Sequence, residues 1–179
     1  MSRRGTSLIE MLVVLVILGT LTALAAPRMR PSAKGTVEQN SRLLAQDFDL
    51  ARTRAYAARA LVRVVVRDTL WQTFLDQDRD SVIFESASER MAFGPFNSRP
   101  IGQHVVFGRG IAPVIPGDTV VTATGTRRIQ FGSRGTTDPF GSSAVLYLTY
   151  DSDSSAVSAV EITPAANVRV WRWVDGTWQ

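Results

Sequence analysis

The residues that could do chemistry in this chain are few, and spacing disqualifies most of them. His104 is the single histidine. A Ser–His–Asp set would have to use it, yet the sequence has no Gly-x-Ser-x-Gly element to present a nucleophilic serine. Its neighbours Val105, Val106 and Phe107 read instead as strand. One histidine cannot form a paired-His metal site. The absence of cysteine excludes thiol nucleophiles, disulfides, thiolate zinc sites and iron–sulfur clusters. Asp76-Gln77-Asp78-Arg79-Asp80-Ser81 alternates carboxylates like the start of a calcium loop. Such a loop needs Gly sixth and Glu twelfth, where this chain has Ser81 and Ala87. Arg79 also puts a cation among the ligands, so the stretch reads as a solvated turn. Gly132-Ser133-Arg134-Gly135 and Gly108-Arg109-Gly110 lack the spacing and lysine of a phosphate loop and read as turns. The expectation is no enzyme, no metal and no cofactor.

A second cluster lies near the carboxyl end. Alternation along Val168-Arg169-Val170-Trp171-Arg172-Trp173 puts Arg169, Trp171 and Trp173 on one strand face. Indole faces and guanidinium groups stack on nucleic-acid bases, which makes Arg169, Trp171 and Arg172 candidate DNA contacts. The competing reading is an edge strand whose tryptophans pack on a neighbour while its arginines face water. Charge argues for the second. The net charge of +4 and pI near 10.3 suggest a polyanion partner. But Arg3, Arg4, Arg28 and Arg30 all flank one apolar run. From Lys34 to Gln179 there are 16 basic and 15 acidic residues, a net +1. A broad phosphate footprint is missing.

The third candidate is Glu10. From Thr6 to Ala26 it is the only charge in 21 residues. As a helix that run rises roughly 30 Å, about one hydrocarbon core. Arg3 and Arg4 precede it, which orients the first residues to the cytoplasm. A carboxylate inside such a span costs about 2.5–3.5 kcal/mol on insertion scales, so something must compensate it. Two processing readings are open from the residues. Arg3, Arg4, Leu12–Leu18 and Ala23-Leu24-Ala25 could be the basic region, apolar region and cleavage site of a secretory signal peptide. Alternatively the cut precedes the apolar run, after Gly5, and frees an α-amine on Thr6 four residues from Glu10.

The run Arg4-Gly5-Thr6-Ser7-Leu8-Ile9-Glu10-Met11 and the apolar stretch through Gly19 resemble the class III signal of type IV pilins and type II secretion pseudopilins. In that family a basic leader ends in Gly, a prepilin peptidase cuts after it and methylates the new terminus, and the fifth mature residue is Glu. The resemblance implies a cut between Gly5 and Thr6. It also implies that Glu10 pairs with the terminal amine of an adjacent subunit and sets register during filament assembly. Thr6 departs from the family's usual Phe or Met at the first mature position.

The remainder is similar to the GspH/FimT family of minor pseudopilins and pilins. The matching segments are Leu43–Val66, with Asp49-Leu50-Ala51-Arg52-Thr53-Arg54-Ala55, and Arg127–Arg172, with Ile129-Gln130-Phe131-Gly132-Ser133-Arg134-Gly135. The implied function is a structural subunit of a type II secretion pseudopilus, held in the bacterial inner membrane by a single span with its globular part periplasmic. The implied partners are other pseudopilins or pilins, the prepilin peptidase and an inner-membrane assembly platform. A FimT-like pilus subunit that binds DNA for transformation is the alternative. Of that group's Gly-Arg-x-Arg element, Ala166-Asn167-Val168-Arg169 keeps only the last arginine.

The elements that must position these residues follow from periodicity. Residues 1–5 read as leader and 6–27 as transmembrane helix, with Pro27 as a break. Residues 28–60 read as an amphipathic continuation and 61–179 as a β-rich domain. Val37, Leu44, Phe48, Ala51, Ala55, Ala58 and Val62 form one apolar stripe, predicting a helix over about Thr36–Ala60. Strands are expected at Leu61–Val66, Leu70–Leu75, Ser81–Phe84, His104–Phe107, Thr119–Ala123, Arg127–Phe131, Ala144–Tyr150, Val157–Ile162 and Val168–Val174. Gly94–Gly117 reads as the longest loop. The fold class is α+β, a long N-terminal helix packed on largely antiparallel sheet.

Overall fold

The computed structural model describes residues 8–25, 32–91, 98–118 and 126–179. The chain divides into two units, Met1–Ser32 and Ala33–Gln179, and each follows its own physical logic.

The first unit holds helix α1, Leu8–Ala25. Apolar side chains surround its axis instead of forming a stripe. Every large one from Leu8 to Leu21 is exposed, from 46 % at Val14 to 84 % at Leu8. A helix apolar on all sides belongs in an apolar surrounding, not in water. Its hydroxyls turn inward. Thr20 donates to the Ile17 carbonyl at 2.9 Å and Thr22 to the Leu18 carbonyl at 2.7 Å. Among the described residues no helix is long and apolar enough to cross a membrane. The 18 residues of α1 rise about 27 Å. Thr6, Ala26 and the expected break at Pro27 lie outside the described residues.

The second unit starts with helix α2, Ala33–Ala58, three residues earlier and two shorter at its end than the periodicity predicts. Val37, Leu44, Phe48, Ala51 and Ala55 are buried as one stripe, with Ala58 half-buried. The helix ends in a Schellman turn. The Ala60 amide reaches the Ala55 carbonyl and the Arg59 amide the Tyr56 carbonyl, both at 3.3 Å, with Arg59 at φ 51°.

Two antiparallel five-stranded sheets follow. In the first, β1 (Val62–Val66) lies between β2 (Leu70–Leu75) and β6 (Arg127–Phe131). The short strands β3 (Arg90–Met91) and β4 (Arg99–Pro100) extend β2 on its outer edge. The second sheet runs β10 (Thr177–Trp178), β9 (Val168–Val174), β8 (Asp153–Ile162), β7 (Ala144–Tyr150), β5 (Val105–Phe107). Alternation on β1 turns Val62, Val64 and Val66 toward α2, and Val65 toward Phe74 and Ile83 on the far face. One core joins the α2 stripe to Val62, Val64, Ile129 and Phe131 of the first sheet and to Leu146, Leu148, Val160 and Ile162 of the second. The expected α+β class with antiparallel sheet is therefore the observed one.

Four expectations need comment. Ser81–Phe84 forms no strand: the carboxylates of Asp76 and Asp80 accept the Ser81 and Val82 amides, which removes donors a ladder would need. Arg63 takes the Ile83 carbonyl at 3.1 Å. Gly94–Gly117 is not one loop, because β4 and β5 lie within it. β8 starts at Asp153, four residues before the Val157 expected. Thr119–Ala123 lies outside the described residues.

Candidate functional site

Glu10 sits in the first turn of α1, where exposed backbone amides and the helix dipole favour a carboxylate. It is exposed. Its helical neighbours at three, four and seven residues on are Val13, Val14 and Ile17, all apolar and exposed. Glu10 is thus a carboxylate set among exposed apolar side chains. Gly5 and Thr6 lie outside the described residues.

The carboxyl-terminal candidates are brought onto β9 but only partly left available. The Trp171 indole N–H donates to Glu161 Oε2 at 2.8 Å, and the ring packs with Tyr147, Ala159, Ile115 and Trp178. Trp173 and Trp178 meet at 5.4 Å between ring centroids. Arg172 contacts Glu38 of α2 at 3.3 Å. Arg169 is exposed, opposite Glu161 in register. β10 pairs with β9 at its carboxyl end only, at Trp173 and Val174. Tyr147 anchors this far face. Its hydroxyl donates to Asp118 and accepts the Ile115 amide, each at 2.9 Å. Burial pushes its pKa up to about 12.

His104 stands exposed just before β5, its Nδ1 2.9 Å from Asp151 Oδ2 and its ring 5.6 Å from that of Tyr150. The hydrogen bond from His104 holds the Asp151 carboxyl below its ordinary value. In the acidic turn Asp76, Asp78 and Asp80 bring carboxylate oxygens within 4.8 Å of one another. Asp76 is buried and both its oxygens accept backbone amides, from Arg79 at 2.7 Å and Ser81 at 3.0 Å. Asp76 thereby shapes the turn, and the three carboxylates are close enough together to hold a metal ion.

Two arrangements escape the sequence reading. Asp47, buried on α2, accepts the Trp71 indole N–H at 2.6 Å and Arg99 Nε at 2.7 Å. It thereby ties the helix to β2 and β4. Its i+4 spacing to the stripe residue Ala51 was the available signal. The other is a groove lined by Arg52, Tyr56, Arg59 and Arg134, whose spacing of four and three residues on α2 is visible in the sequence. Elsewhere one carboxylate gathers three arginines. Glu85 accepts two hydrogen bonds from Arg128 and has Arg63 and Arg67 each at 3.8 Å. The Arg128 hydrogen bond holds its carboxyl below the ordinary value.

Residues 1–26 match the family described as the prokaryotic N-terminal methylation motif. No curated protein matches the chain. Among solved structures, two crystal forms of the Pseudomonas aeruginosa type IV minor pilin FimU are similar to it. One is 12% identical with a TM-score of 0.47, covering 80% of this chain and 92% of that one. The other is 13% identical with a TM-score of 0.45, covering 74% and 90%. The methylation motif thus opens a chain whose second unit packs a helix on antiparallel sheets.

Proposed function

We propose that this protein is a minor subunit of a type II secretion pseudopilus. Prepilin peptidase cuts it after Gly5, and it assembles through its amino-terminal helix; it is a building block and not an enzyme. The observation that carries the reading is α1. Its large apolar side chains are exposed on every side, and a single carboxylate interrupts them near its start. Such a helix needs lipid first and neighbouring helices afterwards. The apolar sequence from Thr6 to Ala26 supplies 21 residues for an inner-membrane anchor, with Arg3 and Arg4 on the cytoplasmic side and the β-rich unit in the periplasm. Neighbouring pseudopilins would then replace the lipid, guided by an assembly platform in the same membrane. Glu10 supplies register by meeting the freed amine of a neighbour's Thr6.

The amino-terminal sequence of the mature protein tests this. A start at Thr6 is expected, and Gly5→Ala leaves the leader attached. A start at Ala26, or an unchanged mature mass in Gly5→Ala, overturns it. The DNA-uptake alternative has thinner support, because Trp171 is engaged within the fold and Arg172, though exposed, is paired with Glu38.

A further inference from the structure

Six arginines of this fold are answered by a carboxylate. Arg42 meets Glu38, Arg99 meets Asp47, Arg172 meets Glu38, and Arg63, Arg67 and Arg128 share Glu85. The carboxyl end of α2 gathers three arginines around shared concavities. Two adjoining concavities there, of about 430 and 460 Å³, share Tyr56 and Arg134. Arg52 and Asp49 line one and Arg59 the other. Arg52 is held by neutral acceptors, the Gly135 carbonyl at 3.0 Å and Asn167 Oδ1 at 3.3 Å. Among the described residues no carboxylate forms an ion pair with Arg52, Arg59 or Arg134. Tyr56 lies between them with 68 % of its surface open to solvent.

The backbone adds a second observation. Arg59 occupies the left-handed position of the Schellman turn at φ 51°, where glycine is the residue without a steric penalty. Gly135, at φ 73°, closes the facing turn and puts the neighbouring Arg134 across the groove. A strained seat on one wall and a tight turn on the other thus present guanidinium groups around one exposed ring. Arginine and tyrosine are the residue types that carry protein–protein contacts, and the guanidinium fork matches carboxylates in paired hydrogen bonds.

We infer that this groove is a docking surface for a short carboxylate-bearing segment of a neighbouring protein subunit, clamped by Arg59 and Arg134 across Tyr56. Naming the occupant a filament neighbour rests on the proposed function; the carboxylate chemistry does not. A phosphodiester chain fits less well. The Lys34–Gln179 part carries only +1, which supplies little long-range attraction for a polyanion, and Asp49 at the end of the groove opposes an extended track of phosphates.

The test uses the full chain in detergent micelles with fluorescein-labelled hexaglutamate and, separately, labelled hexathymidylate, read by anisotropy at fixed salt. Hexaglutamate is expected to bind and to lose about tenfold in affinity in Arg59→Gln/Arg134→Gln, the scale of one lost charge-assisted contact. Arg169→Gln should leave it unchanged. Arg134→Gln alone, on a surface turn, repeats the loss in part and keeps the test decisive if the double variant misfolds. No binding of hexaglutamate, equal affinity in the variants, or tighter and arginine-dependent binding of hexathymidylate would overturn the proposal. A mature start at Thr6 is read independently, so failure here leaves the filament reading standing.

Discussion

Single side chains carry two separable jobs in this protein. Glu10 sits in the first turn of α1, and under the proposed function its removal should spare processing and hurt assembly. Glu10→Ala is expected to yield a correctly trimmed protein recovered poorly with partner pseudopilins; normal recovery in a pull-down counts against the register role. Glu85 is the opposite case, an anion that serves only the fold. Arg128 depresses its pKa below the ordinary value of 4.5. Its contribution is therefore present above pH 4.5 and is lost as pH falls through the lower folded value. Urea unfolding of the wild type should weaken over that window, and Glu85→Gln should flatten the dependence while lowering stability at pH 7. An identical pH slope in both proteins rejects the assignment.

At the scale of elements, legibility tracks periodicity. The α2 stripe and the bounds of β2, β6, β7 and β9 could be read because burial on one face leaves a repeating pattern. Ser81–Phe84 misled because Val82, Ile83 and Phe84 have strand propensity, while two aspartates upstream claim the amides. Propensity is local, and the competition for donors is not. The groove stayed hidden for a related reason: Arg134 joins the α2 arginines only through the turn after β6. Asp47 was equally opaque, since its partners Trp71 and Arg99 are 24 and 52 residues away. Asp47→Ala strands the buried Trp71 indole and the half-buried Arg99 and should lower stability by about 2–4 kcal/mol in denaturant titration. Arg59→Gly relieves a left-handed side chain and should raise stability by about 0.5–1 kcal/mol. A loss there would mean that Arg59 serves folding more than recognition.

The whole molecule has two units with opposite solvent needs. Residues 33–179 bury their own core, whereas the large side chains of α1 from Leu8 to Leu21 are all exposed. Deleting residues 1–32 is therefore expected to leave a protein that stays in solution after ultracentrifugation. The full chain should sediment with membranes and require detergent. Sedimentation of the shortened protein would mean that its surface, and not α1, drives membrane association.

The inward-turned hydroxyls of Thr20 and Thr22 complete this picture. A helix that satisfies its own polar groups has no quarrel with hydrocarbon tails and no special preference for leucine over them. For such a helix the two surroundings are nearly interchangeable, so transfer from one to the other crosses little free energy. Under the proposed function such a helix holds firmly against water yet yields sideways to its own kind, as a subunit both stored and withdrawn requires.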